Sequence, residues 1–280
     1  MKKHFLLAAL LVFLLLSGCG SGADTTTGGE NQGVTETQQE EDYLNENEFI
    51  QMYTDPDAFK GRKVDFNAVI FMPVEKDADG TYIQAFTDPI NSERNTIIAS
   101  DDPNLDVEEG DIIHVVGTVE GTFTGQNLFG AEITAPIIVA DTIEKTDWIT
   151  AFAPAIETIT VGETIDQHGY QITLDKIELA ENETRVYLTI ANNTKNNISF
   201  LSYNSKLILG NKQYGLSNDF NLYADYKEPD SDLLPGIVTD GILTFPAISK
   251  EEANSLKVYL EGLSDDWNID LEPFVFEVSW

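Results

Sequence analysis

The single cysteine of this chain has neighbours that suit a modification reaction. Cys19 directly follows Leu16, Ser17 and Gly18. Small residues before a cleavage point let a peptide enter a peptidase site, and a thiol is nucleophilic enough to take a diacylglyceryl group as a thioether. Because no second thiol exists, no intramolecular disulfide can form, and the folded parts must be stabilised by hydrophobic cores.

The residues in front of Cys19 predict an export signal. Residues 1–4 are a short positive head, and residues 5–16 are an apolar run of twelve. A membrane-spanning helix needs about 20 residues, so this run fits a secretory signal. Residues 16–19 resemble the lipobox of Gram-positive bacterial lipoproteins. The resemblance implies a signal peptide over residues 1–18, acyl chains such as palmitate on Cys19, and anchoring at the extracytoplasmic face of the cell membrane. The alternative is a plain signal peptide with a chance cysteine.

The segment after the cysteine predicts a tether. Residues 19–44 are mostly Thr, Gly, Gln, Asn and acids, which cannot bury enough apolar surface to fold. A flexible chain of this length spans about 27 Å on average. The whole chain has 48 acidic and 16 basic residues, a net charge of −32. Such a charge repels nucleic acid and anionic headgroups, so we expect no nucleic-acid partner.

One long loop in the second half offers oxygen ligands for a cation. Residues 218–232 are longer and more aromatic than a simple connection requires. The run lacks the ligand register of an EF-hand loop. Calcium is one prediction for this loop, and the alternative is a solvated loop whose aromatic side chains turn inward. The candidate ligands are Asp219, Asp225, Glu228, Asp230 and Asp232.

Other chemistry-bearing residues do not form a catalytic pattern. After removal of the signal, the histidines are His114, inside an expected strand, and His168, in an expected turn. They are too few for a histidine-rich metal centre, and the chain has no motif typical of a Ser-His-Asp triad. We therefore expect no enzymatic activity. Paired carboxylates that hydrolyse wall glycans are the alternative, because the acids offer many chance pairs.

The elements that would position these residues are mainly strands. Residues 46–53 predict a short helix, because their apolar positions have helical spacing. Alternation and turn signals then predict strands, with a bend at Gly117 and an edge or break at Pro136. These strands cover residues 64–72, 82–86, 95–99, 112–120 and 129–140.

Two stretches of this half resemble oligonucleotide/oligosaccharide-binding (OB) domains. "LDVEEGDIIHVVGTVEG" is similar to the fourth-strand region of that fold, and "FKGRKVDFNAVI" is similar to its first strand. The resemblance implies a five-stranded barrel over residues 45–147, with ligands on the second and third strands and adjoining loops. Aromatic and amide side chains there suit a neutral oligosaccharide or a protein, although they could equally pack under the loops. The implied ligand residues are Tyr82, Gln84, Phe86, Phe123, Gln126, Asn127 and Phe129.

Residues 148–280 predict an antiparallel sandwich, because short strands alternate with turn signals. One long strand is expected over residues 198–209, followed by a hairpin turn at 210–212. The order "VGETI", "GYQITLDKIEL", "RVYLTIANNTKNNISF", "LLPGIVTDGILTF" resembles the immunoglobulin-like domain of unknown function found on Gram-positive lipoproteins and related to mycobacterial immunoprotective secreted antigens. That resemblance implies an extracytoplasmic sandwich and no catalytic residues.

Together these patterns predict an all-β protein: an OB-like barrel with a short helix, then an immunoglobulin-like sandwich. We expect a membrane-anchored lipoprotein with a non-catalytic binding or scaffolding role and an envelope protein or glycan as partner. The alternatives are a glycan-acting enzyme and a calcium-dependent adhesion or sensor module.

Overall fold

Five strands close into a barrel in the computed structural model, which describes residues 43–126, 132–217, 223–249 and 254–280. The elements are α1 (Glu46–Met52), β1 (Lys63–Ile70), β2 (Glu75–Lys76), β3 (Thr81–Asp88), β4 (Glu93–Ser100), β5 (Ile112–Gln126) and β6 (Glu132–Thr146). β1 pairs with both β5 and β3, so the order β1-β5-β6-β4-β3 returns to its start. β4 and β6 run parallel, while the other neighbours are antiparallel.

Local sequence explains how the barrel begins and bends. Asn45 caps α1 by accepting from the Glu48 amide at 3.1 Å, while the Glu48 carboxylate accepts from the Asn45 amide at 3.0 Å. The bend predicted at Gly117 is confirmed by a register shift between Val116 and Gly117. A Cβ at Gly117 would lie 2.6 Å from the Val139 carbonyl oxygen, so only glycine allows this close approach.

Of the two alternatives predicted for Pro136, the break was wrong and the edge is confirmed. β6 continues through this proline, which lies opposite Thr122 on β5. The β4–β6 ladder starts only at Ile137. Pro136 lacks an amide proton, but it has no partner on the β4 side, so no hydrogen bond of that ladder is lost. Phe129, where this strand was expected to start, lies outside the described residues.

The second half is a β-sandwich around its own core. Its main sheets have the orders β14-β9-β8-β7 and β12-β11-β15-β17, and a third sheet is β13-β10-β16. The strands are β7 (Glu157–Gln167), β8 (Tyr170–Leu179), β9 (Glu183–Asn192), β10 (Ile198–Phe200), β11 (Lys206–Leu209), β12 (Lys212–Tyr214), β13 (Asp232–Leu233), β14 (Val238–Pro246), β15 (Ser255–Leu260), β16 (Gly262–Ser264) and β17 (Phe274–Ser279). With the barrel, this sandwich confirms the all-β fold. It shares the architecture of immunoglobulin domains, although β7, β8 and β9 form a meander within one sheet.

The single strand expected over residues 198–209 is two strands. β10 and β11 belong to different sheets and are separated by a 3₁₀ turn over Ser202–Asn204. Phe200 and Leu207 are both buried in the sandwich core, so the chain crosses between sheets while keeping apolar side chains inside. The hairpin turn is confirmed, because Leu209 pairs with Lys212 around Gly210, whose φ is +59°.

A short helix, α2 (Trp148–Phe152), joins the barrel to the sandwich. Its Trp148 belongs to one apolar cluster with Val69 and Ile112 of the barrel and with Tyr223 and Tyr226 of the sandwich. The described residues, which begin at Tyr43, belong to one folded unit. The domain boundary between residues 147 and 148 stays a prediction, and Cys19 with the rest of residues 1–42 lies outside the described residues.

Candidate functional site

The outer face of β3 carries the side chains predicted to bind a ligand. Ile83 and Ala85 point into the barrel and are buried. Alternation along the strand therefore places Tyr82, Gln84 and Phe86 on the outside, where all three are half-buried. The structure thus brings together three of the residues that the sequence indicated.

The neighbouring strands extend this surface. Across β3 and β4, Tyr82 faces Ala99, Gln84 faces Ile97, and Phe86 faces Asn95. On the other side of β4, Ile97 faces Ile137 and Ala99 faces Val139 of β6. We call this surface the aromatic face; it comprises Phe71, Tyr82, Gln84, Phe86, Asn95, Ile97, Ala99, Ile137 and Val139.

Phe71, which sequence reasoning missed, completes the aromatic face. Its ring stacks on Phe86 with centroids 3.7 Å apart and planes inclined by 12°. The Phe71 amide also donates to the Gln84 carbonyl at 3.2 Å. Phe71 lies within the strand predicted over residues 64–72, but alternation does not reveal that the end of β1 pairs with β3, which brings Phe71 beside Phe86.

The aromatic face combines flat rings with amides and carries no charge. Its charged neighbours stand at the margins: Glu75 faces Tyr82 from β2, and Asp88 faces Glu93 beyond Phe86. The Oδ1 atom of Asn95 is buried and accepts no hydrogen bond within the described residues. Stacked rings and amides can hold a neutral polar ligand, whereas single-stranded nucleic acid requires basic side chains around the rings.

The remaining predicted ligand residues follow the bulge in β5. Phe123 is half-buried opposite Ala135, and its ring covers Gly125, where a Cβ would lie only 2.7 Å from the ring. Gln126 ends β5 opposite Glu132. Asn127 and Phe129 lie outside the described residues.

The carboxylates proposed for calcium are not gathered where the structure describes them. Asp225, Glu228 and Asp230 are exposed, and Asp232 accepts a 2.7 Å hydrogen bond from Ser199. Asp219 lies outside the described residues. Among the residues that are described, no three His, Cys, Asp or Glu side chains are grouped to hold a metal ion.

The aromatic residues beside these carboxylates turn inward. Tyr223 stacks on Trp148 with centroids 6.5 Å apart. Tyr226 donates its hydroxyl proton to Glu183, and burial is the main reason why its pKa is raised. The chain then follows the open edge of β14, where the Ile242 amide donates to the Lys227 carbonyl at 2.8 Å. This segment therefore covers an edge strand.

Arg185 is a buried charge that the sequence did not reveal. It lies on the outer side of β9 and is fully buried next to the end of α2, where it bonds Ala153. Its Nη1 donates to the Ala153 carbonyl at 2.8 Å and to Glu183 at 2.5 Å, and its Nε donates to Glu178 at 3.0 Å. Nη2 lies 2.9 Å from the same Glu178 carboxylate, but at an angle that makes no hydrogen bond. Arg185 thus positions the end of α2 on the sandwich.

Lys176 and Tyr187 complete the surroundings of Glu178. Burial raises the pKa of Glu178, but hydrogen bonds from Lys176, Tyr187 and Arg185 outweigh that effect, so its pKa is lowered. Burial and the bond to Glu178 raise the pKa of Tyr187 to about 12. The cluster is consequently a set of mutually paired groups.

The histidines occupy ordinary structural positions. His114 lies on the outer face of β5, with Nε2 2.7 Å from the Asp65 carboxylate. His168 occupies a turn with φ +57°, next to Gly169, whose amide donates to Asp166. The two residues lie in different halves of the molecule, so they do not form a joint site.

Fold and surface define an all-β protein with an OB-type barrel and an uncharged aromatic face. No family model matches the chain, and no curated protein is significantly similar to it. A solved structure of a functionally unknown protein from Listeria monocytogenes EGD-e is similar, with 11% identity and a TM-score of 0.35, over 46% of this chain and 86% of that one. Within the described residues, no helix is long and apolar enough to cross a membrane.

Proposed function

We propose that the protein is a lipid-anchored lipoprotein at the extracytoplasmic face of the cell membrane, with a non-catalytic binding role. Its aromatic face binds a neutral polar polymer, for which a wall glycan is the best fit. Support for the anchor is the signal of residues 1–18 and the lipobox ending at Cys19. The resemblance of residues 148–280 to a domain found on Gram-positive lipoproteins agrees with that location.

One observation supports the binding role above the others. The chain has a net charge of −32, yet the nine side chains of the aromatic face include none that is charged. Apolar area in contact with water costs solubility, so a contiguous patch of partly exposed apolar side chains, with Val139 46% exposed, supports an interaction site here. Aromatic rings can stack on the apolar faces of sugars, and neighbouring amides can hydrogen-bond sugar hydroxyls. The side chains of the aromatic face therefore suit a glycan better than an ionic ligand.

Binding of the full-length protein to immobilised neutral wall glycans tests this proposal. Tyr82→Ala and Gln84→Ala should each weaken retention at least threefold, because one removes a ring and the other an amide. The matched control is Tyr203→Ala, since Tyr203 is an exposed tyrosine of the sandwich. Equal retention of all four proteins would contradict the proposal, and release of soluble sugar fragments would favour the enzymatic alternative.

A further inference from the structure

Three loops meet at the end of the sandwich where β9 finishes. The buried side chain of Asn192 holds two of them, because its Nδ2 donates to the carbonyls of Leu233 and Asn196, both at 2.8 Å. Its backbone amide donates to the Ile237 carbonyl at 2.9 Å. The loop after β13 is therefore fixed to the loop after β9.

The loop between β16 and β17 joins the same end. Asp265 donates its amide proton to the Asn197 carbonyl at 3.0 Å, and Asn196 donates its side-chain amide to Asp266 at 3.4 Å. Asp266 also accepts from the Asn268 amide at 3.0 Å, which fixes the turn that contains Trp267. Three separate loops thus form one ordered surface.

This surface presents large apolar side chains to solvent. Trp267 is 89% exposed, whereas tryptophan side chains are on average highly buried. Four other large apolar side chains on these loops and adjoining strands are also exposed. We call the set the apolar tip; it consists of Leu234 (62%), Ile237 (46%), Val238 (61%), Leu263 (57%) and Trp267 (89%).

Acidic side chains surround the apolar tip. One basic residue, Lys195, belongs to these loops. The nearby acids are Asp232, Asp265, Asp266, Asp270 and Glu272. An acidic rim repels anionic lipid surfaces, and it also repels a second copy of a chain whose net charge is −32.

The apolar tip is remote from the start of the folded unit. Tyr43 bridges to Lys63 at the beginning of β1, whereas Val69 near the end of β1 packs in the junction with α2. β9 begins beside that junction, where Arg185 bonds Ala153, and ends at Asn192 in the tip. The barrel and the length of β9 therefore separate Tyr43 from the tip.

We propose that the apolar tip docks on a protein partner that offers an apolar pocket for Trp267, with lysine or arginine side chains on the pocket's rim. Charge complementarity selects this partner, because a basic rim matches the acids around the tip. Tryptophan at the centre of an interface commonly dominates binding. This interaction is independent of the aromatic face of the barrel.

Photo-cross-linking from the full-length chain, in the cells that produce it, tests the proposal. A photo-reactive amino acid at position 237 or 267 should form an adduct with one partner protein. Position 156 is the matched control: Ile156 is 73% exposed, and its amide bonds the Leu179 carbonyl near the junction. No adduct with that partner is expected from position 156.

Binding of the identified partner, once purified, then decides the chemistry. Trp267→Ala should weaken the affinity of the chain for the partner at least tenfold. The double change Asp265→Lys with Asp270→Lys should weaken it at least threefold, and the Kd of this variant should depend less on salt than that of the wild type. Ile156→Ala should leave Kd unchanged, and Trp267→Ala should leave the thermal midpoint unchanged because Trp267 is exposed. In the cross-linking experiment, the proposal is overturned by adducts with lipid or with a second copy of the chain, by equal adducts at all three positions, or by no adduct. Binding of the purified protein to phosphatidylcholine vesicles would also overturn it.

Discussion

At the residue scale, Arg185 connects the joining helix to the sandwich with one side chain. Removing the guanidinium leaves Glu183 without its cation, Glu178 with Lys176 as its remaining cation, and the Ala153 carbonyl without its donor. Breaking a buried ion pair from one side typically costs about 3–5 kcal/mol. The sequence could not reveal this role, because Arg185 occupies an outward position on an alternating strand and its cover comes from distant segments.

We expect Arg185→Leu to lower the free energy of unfolding by about 3–5 kcal/mol, measured by urea denaturation. Lys257→Ala is the control, since Lys257 pairs with Glu277 at 2.5 Å on an exposed surface, where such a pair contributes about 0–1 kcal/mol. Equal effects of the two substitutions would show that Arg185 is not structurally special.

Glu178 gives the same cluster a pH dependence. Its folded pKa lies below the ordinary value of 4.5, so the ionised form stabilises the fold. That contribution is complete above pH 4.5 and is lost as the pH falls through the lowered folded pKa. The difference in unfolding free energy between wild type and Glu178→Gln should therefore be larger at pH 7 than near pH 3. A difference that is constant across this range would refute the assignment.

Cys19 carries the prediction of membrane attachment. Radiolabelled palmitate should enter the wild-type protein and should not enter the Cys19→Ser variant, because only the thiol forms the thioether. The variant should also leave the membrane fraction. Label in the serine variant, or none in the wild type, would remove the lipoprotein assignment.

At the element scale, the strands of the barrel were predictable because their signal is local. On β3, Ile83 and Ala85 alternate with Tyr82, Gln84 and Phe86, and this pattern alone assigns the two faces. The break between β10 and β11 was not predictable. It depends on which sheet accepts each segment, and sheet membership is not encoded in the local alternation of side chains.

Gly117 allows a test of the barrel's bend. Gly117→Ala places a Cβ 2.6 Å from the Val139 carbonyl oxygen and 2.8 Å from the Ile138 side chain. We expect a loss of about 1–3 kcal/mol in unfolding free energy, as for other overpacked positions. Gly215→Ala is the matched control, because its nearest neighbour would be the Lys206 Nζ at 3.8 Å, and it should change stability by less than about 0.5 kcal/mol.

At the scale of the whole molecule, like-charge repulsion opposes folding. Acids outnumber bases 48 to 16, and salt shortens the range of their repulsion from about 30 Å at 0.01 M to about 10 Å at 0.1 M. The aromatic face and the apolar tip are thus uncharged areas on a strongly acidic surface. Composition predicted that the surface is acidic, but only the folded structure shows where uncharged areas lie on that surface.

The thermal midpoint should therefore rise between 0.01 M and 0.3 M sodium chloride. Calcium and magnesium chloride at equal ionic strength should act alike, since general screening does not distinguish them. An extra rise in calcium alone would indicate a specific site and would revive the calcium-dependent sensor or adhesion module.

The junction at α2 has a mechanical consequence. A pulling force applied between residue 43 and position 267 would pass from the barrel through the five residues of α2 into the sandwich. The sheets on either side resist with ladders of hydrogen bonds, whereas the junction has a small apolar cluster and the bonds of Arg185. In a single-molecule stretching experiment, the first extension step should be the parting of the barrel from the sandwich, and Arg185→Leu should lower the force of that step.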